Sequence, residues 1–210
     1  MRPRIVVLAG VNGAGKSSVV GAMIRAAGSY YFNPDEATRL ILERNPGAAL
    51  AEANAAAWAE GTRLLEHAIT AHKDYTFETT LGGHTIVALL ERAADAGCAV
   101  TVIYVGLATV EQHMARVRAR VAAGGHAIPD ARIRARYRTS REHLIRLLPR
   151  LHELKVYDNS VEADPLAHHA PVPVLLLHRH PSGEVTHVPL RHVPSWAKPI
   201  VMAALKRAGR

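Results

Sequence analysis

The chain has 210 residues, of which 49% are apolar and 21% are charged, and these ordinary globular values exclude disordered and fibrous classes. Its apolar runs fall well short of the roughly 20 residues that a bilayer-spanning helix needs, so no membrane association is expected. The net charge of +8 favours anionic partners such as nucleotides, sugar nucleotides or RNA, and the single cysteine excludes an internal disulfide.

The first predicted element is a buried strand from Arg4 to Ala9, and a helix is predicted from Lys16 to Ala27. Residues 10–17 lie between them and match the pattern G-x-x-x-x-G-K-S/T at every fixed position. In this setting backbone N–H groups and a helix N-terminus surround phosphate oxygens. We expect Lys16 to reach the β- and γ-phosphates of ATP and the Ser17 hydroxyl to bind Mg²⁺. The residues expected to bind the nucleotide here are Gly10, Asn12, Gly13, Ala14, Gly15, Lys16, Ser17 and Ser18.

A second short strand is predicted from Tyr30 to Asn33, followed by a helix from Asp35 to Glu43. Ligands of parallel sheets bind at the carboxyl ends of the strands, which places Asp35 near the γ-phosphate. A carboxylate there can accept the proton of an attacking hydroxyl. The alternative is that Asp35 is the N-cap of the helix.

A third strand is predicted from Asp74 to Thr80, and its last residues should face the same cleft. Glu78 could bind acceptor hydroxyls or a magnesium-bound water, while Thr79 and Thr80 offer hydroxyls to a phosphate or a sugar. The alternative is ordinary solvent-exposed polarity at a strand end.

Between these strands, Ala48 to His72 predicts a helix, and its apolar stripe consists of Leu50, Trp58, Leu65 and Ile69. Both tryptophans, Trp58 and Trp196, are expected to pack. A further helix is predicted from Gly82-Gly83 to Ala96, with Gly97 as its cap.

The clearest buried strand runs from Cys98 to Leu107, and Thr109 with Gln112 predicts a capping box for the next helix. Gly124-Gly125 breaks that helix. Asp130 could cap another helix that extends to about Leu154. We predict a mobile lid at about residues 121–135, for which the glycine pair supplies hinge-like freedom.

Arginines are concentrated around this lid. Arg116 and Arg120 lie one turn apart on one helix face. Arginines that close over a transferring phosphoryl group stabilise the charge on its oxygens, although a solvated basic helix face would show the same pattern. The arginines beyond the break are Arg132, Arg134, Arg136 and Arg138.

Residues 157–160 predict a loop, and Val172 to His178 predicts a last strand that pairs as a hairpin with Val185 to Leu190. A short helix should follow Ser195. His178 and His180 share one strand face, but the late histidines do not form a recognised zinc spacing.

Strands alternate with helices along the chain, which predicts an α/β fold. We expect one P-loop kinase domain spanning residues 1–210, with the three-layer fold of P-loop NTPases and a mainly parallel five-stranded sheet covered by helices on both faces. The lid is helical, and residues 171–207 supply the C-terminal strand, hairpin and helix.

Five segments together resemble the zeta toxin-like family of P-loop kinases, in order and spacing, over residues 4–160. They are residues 9–17, Asn33-Pro34-Asp35-Glu36, Phe77-Glu78-Thr79-Thr80, Gly124-Gly125-His126-x-x-Pro129 and Tyr157-Asp158-Asn159-Ser160. The resemblance implies an ATP- and Mg²⁺-dependent kinase that phosphorylates the 3′-hydroxyl of UDP-N-acetylglucosamine. The Gly-Gly-His element is not shared by the toxins proper, so the chain looks closer to the stand-alone branch of the family.

The resemblance also implies roles for individual residues: Lys16 and Ser17 for ATP-Mg²⁺, and Asp35 as general base. It implies Glu78 and Thr80 for acceptor binding. Phosphates would be clamped by one arginine before the lid, Arg120 or else Arg116, and by one after it, Arg136 or Arg134. The loop with Asn159 would lie near the adenine. An antitoxin protein that is not encoded in this chain is a further expected partner.

Two other functions fit parts of the sequence. The charge of +8 would suit a polynucleotide or RNA end kinase, or a nucleotide-dependent RNA-binding protein. Sequence-tolerant RNA binding usually adds aromatic stacking platforms, and only Tyr137 lies among the lid arginines, which disfavours RNA. A non-enzymatic ATP-binding switch would use the same phosphate loop. The small-molecule kinase is the preferred hypothesis, with a cytoplasmic location because no secretory signal is visible.

Overall fold

The computed structural model describes residues 2–26, 28–161 and 172–208. Its centre is a six-stranded sheet with the strand order β2-β1-β3-β4-β5-β6. The first four strands in this order are parallel, whereas β5 is antiparallel to β4 and β6 to β5. The predicted α/β class with a mainly parallel sheet and a C-terminal hairpin is therefore confirmed. The strands are β1 (Arg4–Ala9), β2 (Tyr75–Thr79), β3 (Ala99–Gly106), β4 (Glu153–Asp158), β5 (Val174–Arg179) and β6 (Val185–His187).

Helices connect the parallel strands. A π-helical turn at Ser17–Gly21 leads into the first of them, and 3₁₀ turns lie at Leu148–Arg150 and Leu190–His192. The helices are α1 (Ala22–Ala26), α2 (Pro34–Arg44), α3 (Leu50–Thr70), α4 (His84–Asp95), α5 (Val110–Ala122), α6 (Asp130–Leu147) and α7 (Lys198–Ala208). Within the described ranges, no helix has the length and apolarity required to cross a membrane.

Strand β1 lies between β2 and β3, and its side chains alternate between the two faces of the sheet. Ile5 and Val7 belong to the large core that contains residues of α3, α4, α6 and α7. Leu8 belongs to a smaller core beneath the phosphate loop, together with Val20. Because β1 is buried on both faces, the loop that follows it emerges between two parallel neighbours, where ligands of such sheets bind.

Two predicted elements near the sheet differ from the structure. The predicted strand Tyr30–Asn33 is reduced to one parallel bridge between Phe32 and Phe77, because Pro34 already begins α2. The predicted helix to Leu154 ends at Leu147, before the 3₁₀ turn that contains Pro149. The sequence ELKVYD then forms β4, which the sequence analysis missed. With both strands of the C-terminal hairpin included, the sheet has six strands, whereas five were expected.

The apolar stripe predicted on α3 is only partly correct. Leu65 and Ile69 are buried, but Leu50 and Trp58 are 40% and 52% exposed. Small residues form the rest of the buried face. At Gly61, a Cβ atom would lie 2.6 Å from the Phe32 ring, so the close approach of α3 to this segment requires glycine.

Helix caps were predicted with mixed success. Thr109 Oγ1 accepts a hydrogen bond from the Gln112 backbone N–H at 3.2 Å, as a capping box requires. The Gln112 side chain donates instead to Ser160 O, at 3.2 Å. Pro129 is the N-cap of α6, so the expectation that Asp130 caps this helix is wrong; Asp130 is its first residue and pairs with Arg118.

Candidate active site

The phosphate loop follows β1 and contains three glycines with positive φ. A Cβ atom on Gly10 would lie 2.2 Å from Val105 O, and one on Gly15 would lie 2.4 Å from Asn159 Nδ2. At Gly13 it would lie 2.6 Å from the carbonyl oxygen of His113. The loop thus packs against β3, α5 and the end of β4, and only glycine fits these contacts and dihedral angles.

A cleft of about 1340 Å³ opens over this loop. Its lining comes from the phosphate loop, the start of α2, one face of α3, the end of β2, and the lid region between α5 and α6. Most of the residues selected from sequence lie in this lining: Asn12, Gly13, Gly15, Lys16, Ser17, Ser18, Asp35, Glu78, Thr79, Thr80, Arg116, Arg120, Arg136 and Asn159. Gly10 and Ala14 belong to the phosphate loop but do not line the cleft.

Lys16 and Ser17 both contact Glu78 at the end of β2. Lys16 Nζ lies 3.4 Å from Glu78 Oε1, and the two side chains are only 6% and 10% exposed. The Ser17 hydroxyl donates to Glu78 Oε2 at 2.7 Å. Parallel pairing of β1 with β2 brings these residues together, because Leu8 and Glu78 are register partners. Glu78 therefore lies beside the Ser17 hydroxyl, and this pair of oxygen ligands is of the kind that could hold Mg²⁺.

Asp35 begins the α2 wall of the cleft. Its carboxylate accepts a hydrogen bond from Arg120 at 3.0 Å, and His126 Nε2 lies 3.6 Å from its other oxygen. The N-cap of α2 is Asn33, whose Oδ1 accepts from the Asp35 backbone N–H at 2.9 Å. The capping alternative for Asp35 is therefore wrong, and its carboxylate is held by Arg120 of α5 and approached by His126 of the lid.

Asn12 is held through its side chain by α6 and through its backbone carbonyl by α5, the two helices that flank the lid. Arg136 donates to Asn12 Oδ1 at 2.7 Å. The Nδ1–H of His113 donates to the Asn12 carbonyl oxygen at 2.9 Å, which fixes the tautomer because a carbonyl can only accept. Burial lowers the pKa of His113 to about 4, so this imidazole is neutral near pH 7. Sequence reasoning gave no signal for His113.

The lid arginines have different surroundings. Burial, and to a smaller extent the neighbouring charge of Arg132, lowers the pKa of Arg136. Arg116 donates to Asn159 O at 2.9 Å. Arg134 lies outside the cleft lining and pairs with Glu111 at 3.1 Å on the surface. Of the two arginines considered after the lid, the structure brings Arg136 and not Arg134 to the cleft.

The remaining predicted residues support the loop or line the cleft. Asn159 is buried and donates to Ala14 O at 2.9 Å, so it braces the phosphate loop. Ser18 Oγ donates to Gly15 O at 3.2 Å. Thr79 and Thr80 both line the cleft, and Thr79 Oγ1 also accepts a hydrogen bond from the Leu81 backbone N–H at 3.1 Å.

The two tryptophans differ in their surroundings. Trp196 is 3% exposed and packs near Tyr104, as expected. Trp58 is 52% exposed and lines the cleft, so the expectation that it packs is wrong. The sequence offered one indication of this position: Trp58 is spaced four residues from Asn54 and from Thr62, so it shares a helix face with two polar residues.

His178 and His180 stack with ring centroids 3.6 Å apart, and His178 Nε2 lies 2.7 Å from Glu153. Within the described ranges, no group of three metal-binding side chains is present. His168 and His169 lie outside the described residues.

Comparison with known proteins identifies the family of the chain. The family model AAA_33, described as an AAA domain, matches residues 5–143. This range contains the phosphate loop, Asp35, Glu78 and the lid. An uncharacterized protein of Haemophilus influenzae is 32% identical over 137 residues, covering 65% of this chain and 94% of the relative.

Solved structures show a similar fold at low identity. The complex of AvrRxo1-ORF1 with AvrRxo1-ORF2, solved with sulphate ions, matches 95% of this chain with a TM-score of 0.67 and 15% identity. The chain spans 64% of that protein, which has also been solved with ATP.

Two other solved structures share the fold. The PezAT toxin-antitoxin system of Streptococcus pneumoniae matches 99% of this chain and 86% of its own, with a TM-score of 0.59 and 13% identity. A putative kinase from Chloroflexus aurantiacus matches 66% of this chain and 80% of its own, with a TM-score of 0.53 and 13% identity. Taken with the family model, these likenesses show that the chain belongs to the AAA domain family AAA_33 and has a P-loop kinase-like fold.

Proposed function

We propose that the chain is an ATP- and Mg²⁺-dependent phosphotransferase that phosphorylates a hydroxyl group of a small anionic acceptor. One observation carries this proposal. Asp35 lines the same cleft as Lys16 and Ser17, and its side chain remains 44% exposed although lid residues hold it. A carboxylate in this position can accept a proton from a hydroxyl that attacks a bound γ-phosphate.

The phosphate loop would hold the triphosphate through its backbone N–H groups and Lys16. In the structure, Lys16 pairs with Glu78, so nucleotide binding would exchange part of this ion pair for phosphate oxygens. Ser17 would bind Mg²⁺ directly and Glu78 would accept from its water ligands, because both offer oxygen donors 2.7 Å apart. When bound, Mg²⁺ would neutralise charge on the β- and γ-phosphates.

Transfer would begin when an acceptor hydroxyl lies between Asp35 and the γ-phosphorus. The hydroxyl proton passes to Asp35, its oxygen forms the new bond to phosphorus, and the bond to the β-γ bridging oxygen breaks. ADP leaves with that electron pair. Arg120 and Arg136 would stabilise the equatorial oxygens, and Arg120 would exchange its contact with Asp35 for the phosphate.

The acceptor would contact Glu78 and Thr80 at the end of β2, which line the cleft. The likeness of Asn33-Pro34-Asp35-Glu36 and Phe77-Glu78-Thr79-Thr80 to zeta toxin-like kinases makes UDP-N-acetylglucosamine the first acceptor to test. The net charge of +8 makes an RNA end the second.

The test is a phosphorylation screen with ATP and Mg²⁺ over UDP-sugars, nucleosides and RNA 5′ ends, with products identified by mass spectrometry. We expect a phosphorylated small molecule with the native chain, none with Lys16→Met, and product formed ~10²-fold or more slowly with Asp35→Asn. A phosphorylated RNA without a small-molecule product would favour the end kinase. Binding of ATP without any product would favour the non-enzymatic switch.

A protein inhibitor encoded apart from this chain belongs to the same proposal, because the PezAT system pairs a toxin with an antitoxin and AvrRxo1-ORF1 is bound to AvrRxo1-ORF2. Expression of the native chain in bacteria should then arrest growth, whereas Asp35→Asn should not. Equal growth of both strains at equal protein levels would remove the need for such a partner.

A further inference from the structure

One wall of the cleft is a single face of α3. Leu50, Asn54, Trp58 and Thr62 recur every fourth residue, so they project from the same side of the helix, and all four line the cleft. The residues that flank Trp58 on this wall are small, since Ala51 and Ala55 also belong to the lining. The Trp58 indole is therefore the largest side chain on this face of α3, and its neighbours there are mostly small and apolar.

Trp58 is an unusual residue to leave in this position. An aromatic side chain contributes its stability by burying its surface, yet Trp58 is 52% exposed. Among the aromatic pairs of the described residues, none includes the Trp58 ring. Large exposed apolar surface inside a cleft is typical of a ligand-binding wall rather than of a folding core.

The polar groups on this wall are few. Thr62 Oγ1 donates to the backbone carbonyl of Trp58 at 2.9 Å, so that hydrogen is already used. Thr38 Oγ1 donates to Asn54 Oδ1 at 3.1 Å, which fixes the amide and leaves its Nδ2–H₂ group able to donate. A free sugar would need partners for several hydroxyls. A planar ring with one or two polar edge atoms needs only stacking and one edge contact.

We propose that Trp58 determines acceptor specificity by stacking on a planar heteroaromatic ring of the acceptor, with the Asn54 amide donating to the edge of that ring. This inference rests on the proposed phosphotransfer, because it assigns the α3 wall to the acceptor and the phosphate loop to ATP. Any aromatic base can stack on tryptophan, because every base has a flat π-face. The Trp58 contact would therefore select a planar ring but would distinguish weakly between individual bases.

A binding test that needs no turnover comes from tryptophan fluorescence. Only Trp58 and Trp196 are present, and Trp196 is 3% exposed, so iodide should quench Trp58 selectively. Uridine or adenosine, added at millimolar concentration with a non-hydrolysable ATP analogue present, should protect Trp58 from iodide. D-ribose and N-acetylglucosamine should not. The matched control is Trp58→Phe, in which the nucleoside-dependent change should vanish.

Three results would overturn the proposal: no protection by either nucleoside, equal protection by the free sugars, or an unchanged response in Trp58→Phe. Nucleoside protection without any phosphorylated product would instead leave the ring site intact and refute the phosphotransfer. The two failures are therefore distinguishable.

A kinetic test separates specificity from folding. Trp58→Ala should raise the KM of the acceptor substrate about tenfold, which corresponds to about 1.4 kcal/mol. The KM of ATP should stay unchanged. Trp58→Phe should recover most of this loss because it keeps a stacking ring. Equal KM values for the native chain and Trp58→Ala, with an active kinase, would remove Trp58 from acceptor recognition.

Discussion

Lys16 Nζ lies 3.4 Å from Glu78 Oε1, and Glu78 also accepts a hydrogen bond from Ser17. A single carboxylate on β2 therefore contacts both side chains of the phosphate loop that would serve ATP and Mg²⁺. Because Lys16 and Glu78 are almost completely buried, removal of one leaves the other without its charge partner in a poorly solvated place.

Lys16→Met should abolish ATP binding and also destabilise the fold, by on the order of 3 kcal/mol, because it leaves a buried charge uncompensated. The double variant Lys16→Met/Glu78→Gln should recover most of the stability but none of the ATP binding. Urea unfolding and calorimetry with Mg-ATP measure the two effects. ATP binding by the double variant would remove Lys16 from the nucleotide site.

Asp35→Asn should lower the rate of phosphotransfer by ~10²-fold or more, the usual scale for a general base. Nucleotide affinity and unfolding free energy should change little, because Asn33 and not Asp35 caps α2. Asn33→Ala is the structural control, with an expected loss of about 1 kcal/mol in stability. A native rate in Asp35→Asn would leave Asp35 as only a lid contact.

Arg136 and Arg134 form a matched pair on α6. Arg136→Ala should lower kcat/KM by ~10²-fold, since it removes a cation from the cleft and the hydrogen bond to Asn12. Arg134→Ala removes only an exposed pair with Glu111, and such pairs contribute about 0–1 kcal/mol, so activity should stay near native. Steady-state kinetics should be measured for both variants. Equal losses of kcat/KM would contradict the placement of Arg136, and not Arg134, in the active site.

His113 predicts a dependence of stability on pH. Its pKa is about 4 in the fold against 6.5 for the ordinary group, so the unfolded chain binds a proton that the folded chain rejects. Stability should therefore be complete above pH 6.5 and fall as the pH drops toward 4, by at most about 3 kcal/mol. His113→Asn keeps a donor for Asn12 and does not titrate. Its unfolding free energy, followed from pH 7 to 4.5, should decline less steeply than that of the native chain; parallel curves would contradict the role of burial.

Much of the parallel sheet and the phosphate loop could be predicted from sequence. The residues from Arg4 to Ser17 encode a strand, positive-φ glycines and a helix start through local chemistry alone. Strand β4 was missed because the alternation in ELKVYD follows directly after an arginine-rich helix, and Pro149 was not given its weight as a helix terminator.

The sequence did not predict which residues of the candidate site contact each other. Lys16 with Glu78 and His113 with Asn12 are 62 and 101 positions apart along the chain, and strand order brings them together. Sequence pattern names such residues singly but does not show which of them touch. Trp58 was misassigned because helical spacing alone cannot tell a face that packs on the sheet from one that borders a cleft.

His113 of α5 and Arg136 of α6 both hold Asn12, so the phosphate loop is tied to the two helices that border the cleft. Arg136 can release the side-chain oxygen to meet an incoming phosphate, while His113 keeps its hold on the backbone. Under the proposed function, the Arg136 hydrogen bond would be exchanged for phosphate and the His113 hydrogen bond would remain. Filling of the nucleotide pocket would thus be communicated to α6 without loosening α5, giving the lid a fixed pivot about which to turn.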